Sequence, residues 1–166
     1  MANAICLDPI VGDNPKILIL GTYPGKESLE NKEYYKSNRN SFWYIIQQVF
    51  NNGEELNTYE DKCKVLKENG IALWDVAESC NRDGSLDKNI KDVKVNDIRS
   101  FLNEHPSITK IIFNGNKAEK LFSKYFSGIT VECECECEKT KSSSNACSIS
   151  KDDKVKIWRE VLLNRE

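Results

Sequence analysis

Short apolar runs alternate along this chain with stretches whose apolar residues recur at helical spacing. Lys16-Ile-Leu-Ile-Leu-Gly21 is continuously apolar and ends in glycine, which predicts a strand buried on both faces. Ile71-Ala-Leu-Trp-Asp-Val76 and Ile108-Thr-Lys-Ile-Ile-Phe-Asn-Gly115 predict a second and a third strand, and Ile129-Thr-Val-Glu-Cys133 a fourth. Between the first two, Phe42, Ile45, Ile46, Val49 and Phe50 predict a helix that starts near Ser41 and stops at Asn51-Asn52-Gly53. Further helices are predicted over about 57–69, with Tyr59, Cys63 and Leu66 inward, and about 96–104, with Ile98, Phe101 and Leu102 inward. Another covers about 116–126, with Ala118, Leu121, Phe122 and Tyr125 on one face. The last has Ser150 as N-cap, Asp153 near the third position, and a buried stripe of Val155, Trp158 and Leu162.

Strands alternating with helices imply an α/β fold of three layers, α/β/α, around a central, mostly parallel four-stranded sheet. In such sheets ligands bind at the carboxyl ends of strands. Those ends are the Gly21 loop, the Val76 loop, Asn114-Gly115 and the segment after Cys137. Two of them open long polar segments, residues 22–40 and 77–94, longer than an ordinary connection. The alternating glutamates of Glu132 to Glu138 would be costly on a central strand, so this tract belongs at a sheet edge or partly outside the sheet. A polar stretch from Glu138 to Ser148 precedes the last helix.

A length of 166 residues fits one domain over 1–166, and 39% apolar with 30% charged residues is an ordinary globular balance. No apolar run approaches the roughly 20 residues of a membrane span, and the start has no basic n-region. A cytoplasmic protein without a membrane partner is expected. The net charge of −2 and pI of 5.6 give no global argument for nucleic acid, so any such contact must be a local surface. Seven cysteines without an export signal favour reduced thiols. On a regular strand Cys133, Cys135 and Cys137 would stand about 6.7 Å apart, whereas thiolates around one zinc stand about 4 Å apart. Structural or incidental thiols are the expected reading, a metal or redox site the alternative. The single histidine, His105, precedes Pro106 and is expected at a helix end. One histidine removes most of the weight from Ser-His-Asp chemistry and from histidine-rich metal sites.

The first long loop opens with Gly21-Thr22-Tyr23-Pro24-Gly25, which is neither a Walker loop nor a GxGxxG turn. It leads into Asn38-Arg39-Asn40-Ser41-Phe42-Trp43. That segment places amides, a guanidinium and two large aromatics at a helix start beside the expected cleft. The aromatics are either core or a platform on which a flat base stacks. Asp75 and Asn114 stand at the carboxyl ends of two strands, as base-reading groups or as turn and capping residues.

These residues, with Ser28-Leu29, Tyr34-Tyr35, Leu73-Trp-Asp-Val76, Ser79-Cys80, Arg82-Asp-Gly-Ser-Leu-Asp87, Asn96-Asp97 and Phe113-Asn-Gly115 with Ala118, resemble the uracil-DNA glycosylase superfamily. The nearest branches are the hypoxanthine-DNA (deoxyinosine) glycosylases and the mismatch-specific uracil and thymine glycosylases. The resemblance runs in order from about Pro9 to Trp158. It implies a monofunctional enzyme that flips a deaminated base out of DNA and hydrolyses its N-glycosidic bond, with neither metal nor cofactor. Deoxyinosine is the first expected substrate and deoxyuridine the second, and the chain is expected to act as a monomer. Tyr23 stands where many members carry Asp or Asn, and with a reference pKa near 10 it is no general base at neutral pH. The resemblance instead maps the catalytic amide onto Asn40, the alternative being an Asn that only caps the helix from Ser41. It implies a base site of Gly21, Thr22, Tyr23, Pro24, Gly25, Phe42, Trp43, Asp75 and Asn114. DNA contacts fall on Arg39, Lys139, Lys141, Ser142 and Ser143. Here the loop before the last helix lacks the branch's prolines and any apolar wedge, and Ser37-Asn38 replaces a common His-Pro pair. A non-catalytic nucleic-acid-binding relative and a nucleoside hydrolase on the same scaffold are the alternatives.

Overall fold

The structure, a computed structural model, describes residues 4–5, 7–24, 26–37, 39–80, 94–128, 135–144 and 147–163. Its elements in chain order are β1 (Ala4–Ile5), β2 (Ile17–Gly21), α1 (Lys26–Asn31), α2 (Phe42–Phe50), α3 (Tyr59–Glu68), β3 (Ile71–Asp75), β4 (Ala77–Cys80), β5 (Lys94–Val95), α4 (Ile98–Glu104), β6 (Lys110–Asn114), α5 (Asn116–Phe126), β7 (Glu136–Thr140) and α6 (Lys151–Leu163). Four strands form an all-parallel sheet in the order β3-β2-β6-β7. β2 is central, and its Ile-Leu-Ile-Leu run divides by strand alternation. Ile17 and Ile19 face a layer of α2, α3 and α6, built around Phe42, Trp43, Ile45, Ile46, Leu66, Trp158 and Leu162. Leu18 and Leu20 face α4 and α5, with Phe101, Leu102, Ala118, Phe122 and Phe126. Both faces are covered, which is why the strand reads as continuously apolar. This is the three-layer α/β/α fold that the sequence predicts.

The alternating Glu-Cys tract ends in β7, which forms one edge of the sheet. The strand expected at Ile129–Cys133 lies outside the described residues. β7 instead takes in Lys139, which the sequence reading placed in a loop; in the sheet it lies opposite Phe113 of β6. A second correction concerns residues 77–80, read as the start of a polar connection. They form β4, which pairs antiparallel with β1 and β5 in a separate three-stranded sheet. The chain is carried there because the β2–β3 ladder continues past Gly21 and Asp75: Val76 N–H donates to the Gly21 carbonyl (2.8 Å) and Ala77 N–H to the Thr22 carbonyl (3.0 Å). The buried Asn96 side chain then closes the junction, donating to the Asp75 carbonyl at 2.7 Å. A third correction is Tyr125, 43% exposed, in place of which Phe126 joins Ala118 and Phe122 on the inward face of α5. The i, i+4, i+8 row aims inward, and Tyr125 lies about 100° away from Phe126 around the helix.

Helix ends follow the sequence closely. The Ser150 hydroxyl accepts from the Asp153 N–H at 3.2 Å, Thr58 caps α3 through Asp61, and Asp97 caps α4 through Ser100. His105 is the C-cap of α4, its ring 4.5 Å from that of Phe101. Among the described residues no helix is long and apolar enough to cross a membrane.

Candidate active site

The carboxyl ends of β2, β3 and β6 bring Gly21, Asp75 and Asn114 to one edge of the sheet. Gly21 and Asp75 are register partners. A Cβ on Gly21 would meet Asp75 Oδ1 at 2.5 Å and the Tyr35 hydroxyl at 2.9 Å. Glycine is therefore required there by close approach: the bare Cα lets a buried carboxylate and a phenol converge on the end of the central strand. Gly115, after β6, has φ +95 and would drive a Cβ to 2.9 Å from that of Ser142. Its absence lets the last loop lie against the same edge.

Tyr35 was quoted in the sequence only as part of the resemblance, yet it stands in the middle of this arrangement. Its backbone is left-handed, φ 52, a conformation that bulky residues adopt only when their surroundings hold them. The hold is visible on both sides. The ring stacks on Phe42 with centroids 4.3 Å apart and planes at 27°, and its oxygen accepts from Asn114 Nδ2 at 2.9 Å. The preceding Tyr34 is buried; its hydroxyl donates to the Asp8 carbonyl and its own carbonyl accepts from Trp43 Nε1 at 2.7 Å. Its N–H donates to the Tyr59 hydroxyl, a phenol that burial pushes well above its ordinary pKa and so keeps protonated. The one sequence signal for Tyr35 was a tyrosine pair inside a loop too long to be a plain connection.

Phe42 is fully buried and meets Trp43 and Trp158 edge-on, while Trp43 is turned into the core against Tyr59. The half-buried ring over Phe42 is that of Tyr35. Asn40 is half-buried, and its Oδ1 accepts from the Phe42 N–H at 2.9 Å. Asn40 thus closes the start of α2, while Ser41, the formal N-cap, makes no side-chain cap bond. A carbonyl oxygen has two lone pairs, so one is left with acceptor capacity.

Asn114 is held through both ends of its amide. Its Nδ2 donates to the Tyr35 hydroxyl and to Ser143 Oγ, and its Oδ1 accepts from the Ser143 N–H, each at 2.9 Å. Ser143 is 0% exposed, and its carbonyl accepts from the Ser41 N–H at 2.8 Å. A side chain read as phosphate-contacting is thus turned inward. Nearby, Lys154 of α6 is 2% exposed and donates from Nζ to the Ser144 carbonyl at 2.8 Å, while Trp158 Nε1 donates to the Lys141 carbonyl at 2.9 Å. The sequence placed Trp158 in the buried stripe of the last helix without this bond, and it did not single out Lys154.

The other expected residues are spread more widely. Thr22 is half-buried, Pro24 is buried, and Tyr23 packs on Ala77 with Leu29 and Leu121. Gly25 lies outside the described residues. Arg39 and Lys141 are exposed and Ser142 is half-buried, its hydroxyl accepting from the Ser144 N–H. Lys139 pairs with Glu119 of α5 at 3.6 Å. No cluster of ligands for a metal ion occurs among the described residues. Cys135 donates to the Ile108 carbonyl, and Cys137 is exposed on the edge strand.

A doubly covered parallel sheet, with an amide, a carboxylate and stacked aromatics gathered where its strands end, defines an α/β/α protein whose candidate site is the carboxyl edge. The sequence pattern of the Uracil DNA glycosylase superfamily matches residues 9–161, and the chain belongs to that superfamily. It is 38% identical over 109 residues to a hypoxanthine DNA glycosylase of Methanosarcina acetivorans, covering 66% of this chain and 69% of that one. It is 35% identical over 112 residues to a hypoxanthine DNA glycosylase of Methanosarcina barkeri, covering 66% and 70%. The solution NMR structure of a candidate uracil DNA glycosylase from Methanosarcina acetivorans superposes with a TM-score of 0.78 at 29% identity, over 96% of this chain and 99% of that one.

Proposed function

We propose that this chain is a monofunctional DNA N-glycosylase, acting as a monomer on deaminated bases, hypoxanthine first and uracil second. The observation that carries the reading is the ordered match to the superfamily over residues 9–161. Two relatives named as hypoxanthine DNA glycosylases support the choice of base. Cleavage of an N-glycosidic bond builds positive charge on the sugar and negative charge on the leaving base. Placed dipoles and one oriented water assist such a step. Asn40 is the proposed catalytic residue: with Oδ1 held by the Phe42 N–H, its second lone pair accepts from a water and orients it toward the sugar. The amino-terminal end of α2, just beyond Asn40, favours negative charge developing on the base. Tyr35, stacked on the buried Phe42, offers the flat surface for the base, with Asp75 and Gly21 at its rim. Lys141, Ser142 and Arg39 lie where phosphates can be met from solvent.

The test is incubation with oligonucleotides that carry a single inosine, uracil, xanthine or G·T mispair, followed by alkaline cleavage of abasic sites. Strand breaks are expected at inosine most and uracil next, unchanged by EDTA and without a borohydride-trapped adduct. Lesion binding without breaks would overturn the catalytic reading. Base release from free nucleosides but not from oligonucleotides would overturn DNA as the substrate.

A further inference from the structure

We infer that Lys154 is a positioning residue for DNA binding: its buried ammonium group, with the Trp158 indole one turn further along α6, clamps the loop 141–144 by two carbonyls and so holds Lys141 and Ser142 toward phosphates. The clamp itself stands on hydrogen bonds of this chain, and its service to DNA rests on the glycosylase reading. A lysine at this place is costly. Lys154 is 2% exposed and is buried on α6 together with Val155, Trp158 and Leu162. An ammonium taken out of water is unfavourable unless it is hydrogen-bonded. It also stands one turn into α6, near the helix end whose dipole disfavours a cation. Stability alone therefore favours an apolar residue here. The Nζ instead donates to the Ser144 carbonyl at 2.8 Å, a charge-assisted bond to a neutral acceptor in the loop.

Lys154 and Trp158 are related as i and i+4, so they stand one above the other on a single face of α6. Their acceptors, the carbonyls of Ser144 and Lys141, lie at the two ends of the loop, and Trp158 Nε1 reaches the second at 2.9 Å. The hold on Ser144 extends to Ser142, whose hydroxyl accepts from the Ser144 N–H at 3.1 Å. Lys141 is exposed and Ser142 half-buried, so both can meet solvent. Ser143 is held from elsewhere, its N–H by Asn114 Oδ1 and its carbonyl by the Ser41 N–H. The clamp thus governs the phosphate-facing part of the loop and leaves the start of α2, with Asn40, to other bonds. It controls affinity for DNA, not the bond-breaking step.

Lys154→Met keeps an unbranched apolar stem and removes the ammonium on which the clamp stands. The first readout needs no DNA. In protein labelled with ¹⁵N-tryptophan, the Trp158 indole N–H should exchange with solvent about tenfold faster in Lys154→Met, the worth of one hydrogen bond lost from the loop. The Trp43 indole, bonded to the Tyr34 carbonyl on the other wall at 2.7 Å, should keep its wild-type rate. Equal acceleration of both indoles, or none at Trp158, would overturn the clamp. The second readout is binding of lesion DNA. Lys154→Met should weaken it about tenfold and reduce the slope of log affinity against log salt by about 0.9, one phosphate contact on duplex. Single-turnover base release at saturating DNA should stay within about threefold. Adding Lys141→Ala to the same chain should reduce the slope no further, since that contact is already lost. A wild-type slope in Lys154→Met, or slope losses that add, would overturn the role in DNA binding. If Lys154→Met does not fold, Lys154→Gln, whose amide ends one bond short of the Nζ position, carries the same expectations. Faster exchange at Trp158 alone, in a chain that binds no DNA, would uphold the clamp and overturn both its role in DNA binding and the glycosylase reading.

Discussion

The two faces of the central sheet are built from different materials. One face packs Ile17, Ile19, Ile71, Leu73 and Ile112 against α2, α3 and α6, with Phe42, Trp43, Trp158 and the tyrosines of the first loop. The other packs Leu18, Leu20, Ala72, Ile111 and Phe113 against α4 and α5, with phenylalanines and aliphatics. The aromatic side chains of the first face carry hydrogen-bonding groups, and these reach loop carbonyls: Trp43 to Tyr34, Trp158 to Lys141, Tyr34 to Asp8. Both cleft walls, the Tyr35 loop and the 141–144 loop, are therefore tied to the core from that face. The second face has no such ties among its buried phenylalanines, and it serves as support. The difference teaches that tryptophan and tyrosine at the carboxyl edge act as struts, with an apolar body in the core and a polar tip on the chain that forms the site.

The sharpest way to break this comparison is to truncate one large aromatic on each face. Trp158→Ala and Phe122→Ala should each cost about 3–5 kcal/mol of stability, as buried aromatic deletions do. Only Trp158→Ala should also lower base release per folded molecule, because it frees Lys141 and the edge of Phe42. Denaturant melts beside single-turnover rates at low temperature measure this, and equal loss of rate in both variants would erase the distinction between the faces.

Asn40→Ala tests the wall carried by α2. It should slow base release on the order of 100-fold, or roughly 3 kcal/mol in the barrier, while binding of lesion DNA changes by a few-fold at most. An Asn40→Ala chain that melts early but cleaves at the normal rate would leave Asn40 as a helix cap only, the bond to the Phe42 N–H being its whole role.

A smaller effect separates the two lysines. Lys141→Ala should reduce the slope of log affinity against log salt by about 0.9, one phosphate contact on duplex DNA. Lys139→Ala should reduce it less, since Lys139 lies in β7 and is paired with Glu119 of the supporting face. Equal slopes for the two variants would place the DNA on both sides of β7.

The smallest effect lies wholly on the supporting face. The Ser100 N–H and hydroxyl hold the Asp97 carboxyl below its usual range. A depressed carboxylate contributes stability above its unfolded value, near pH 3.8, and loses it as pH falls through the lower folded value. Asp97→Ala should cost about 1 kcal/mol at neutral pH, the difference from wild type shrinking in acid, with base release unchanged. Acid and urea melts of the two chains read this directly, and a constant difference down to low pH would assign the loss to helix propensity instead of the cap.

The amino-acid pattern alone determined the scaffold, because scaffold elements are specified by neighbours in sequence. Continuous apolar runs located β2, β3 and β6, period-3.6 spacing located the five helices from α2 to α6, and Ser150 marked where the last helix begins. The carboxyl edge as the place of the site followed from the parallel order, and Gly21, Asp75 and Asn114 could be named from it. What the pattern could not reach was set by partners far away in the chain. β4 is a strand because β1 and β5 pair with it, and β7 runs on through Lys139 and Thr140 because β6 offers them register partners, although the sheet edge itself was legible in the alternating glutamates. Phe42 and Trp43 read as core or as a platform, and packing against Trp158 and Tyr59 made them core and put Tyr35 over Phe42. The polarity of the cleft was the least legible part. Ser143 and Asn114 are 29 residues apart, and Asn114 and Tyr35 are 79 apart. A serine in a polar loop is read from sequence as exposed, because what buries it and turns it into a donor that orients an amide is the tertiary contact itself.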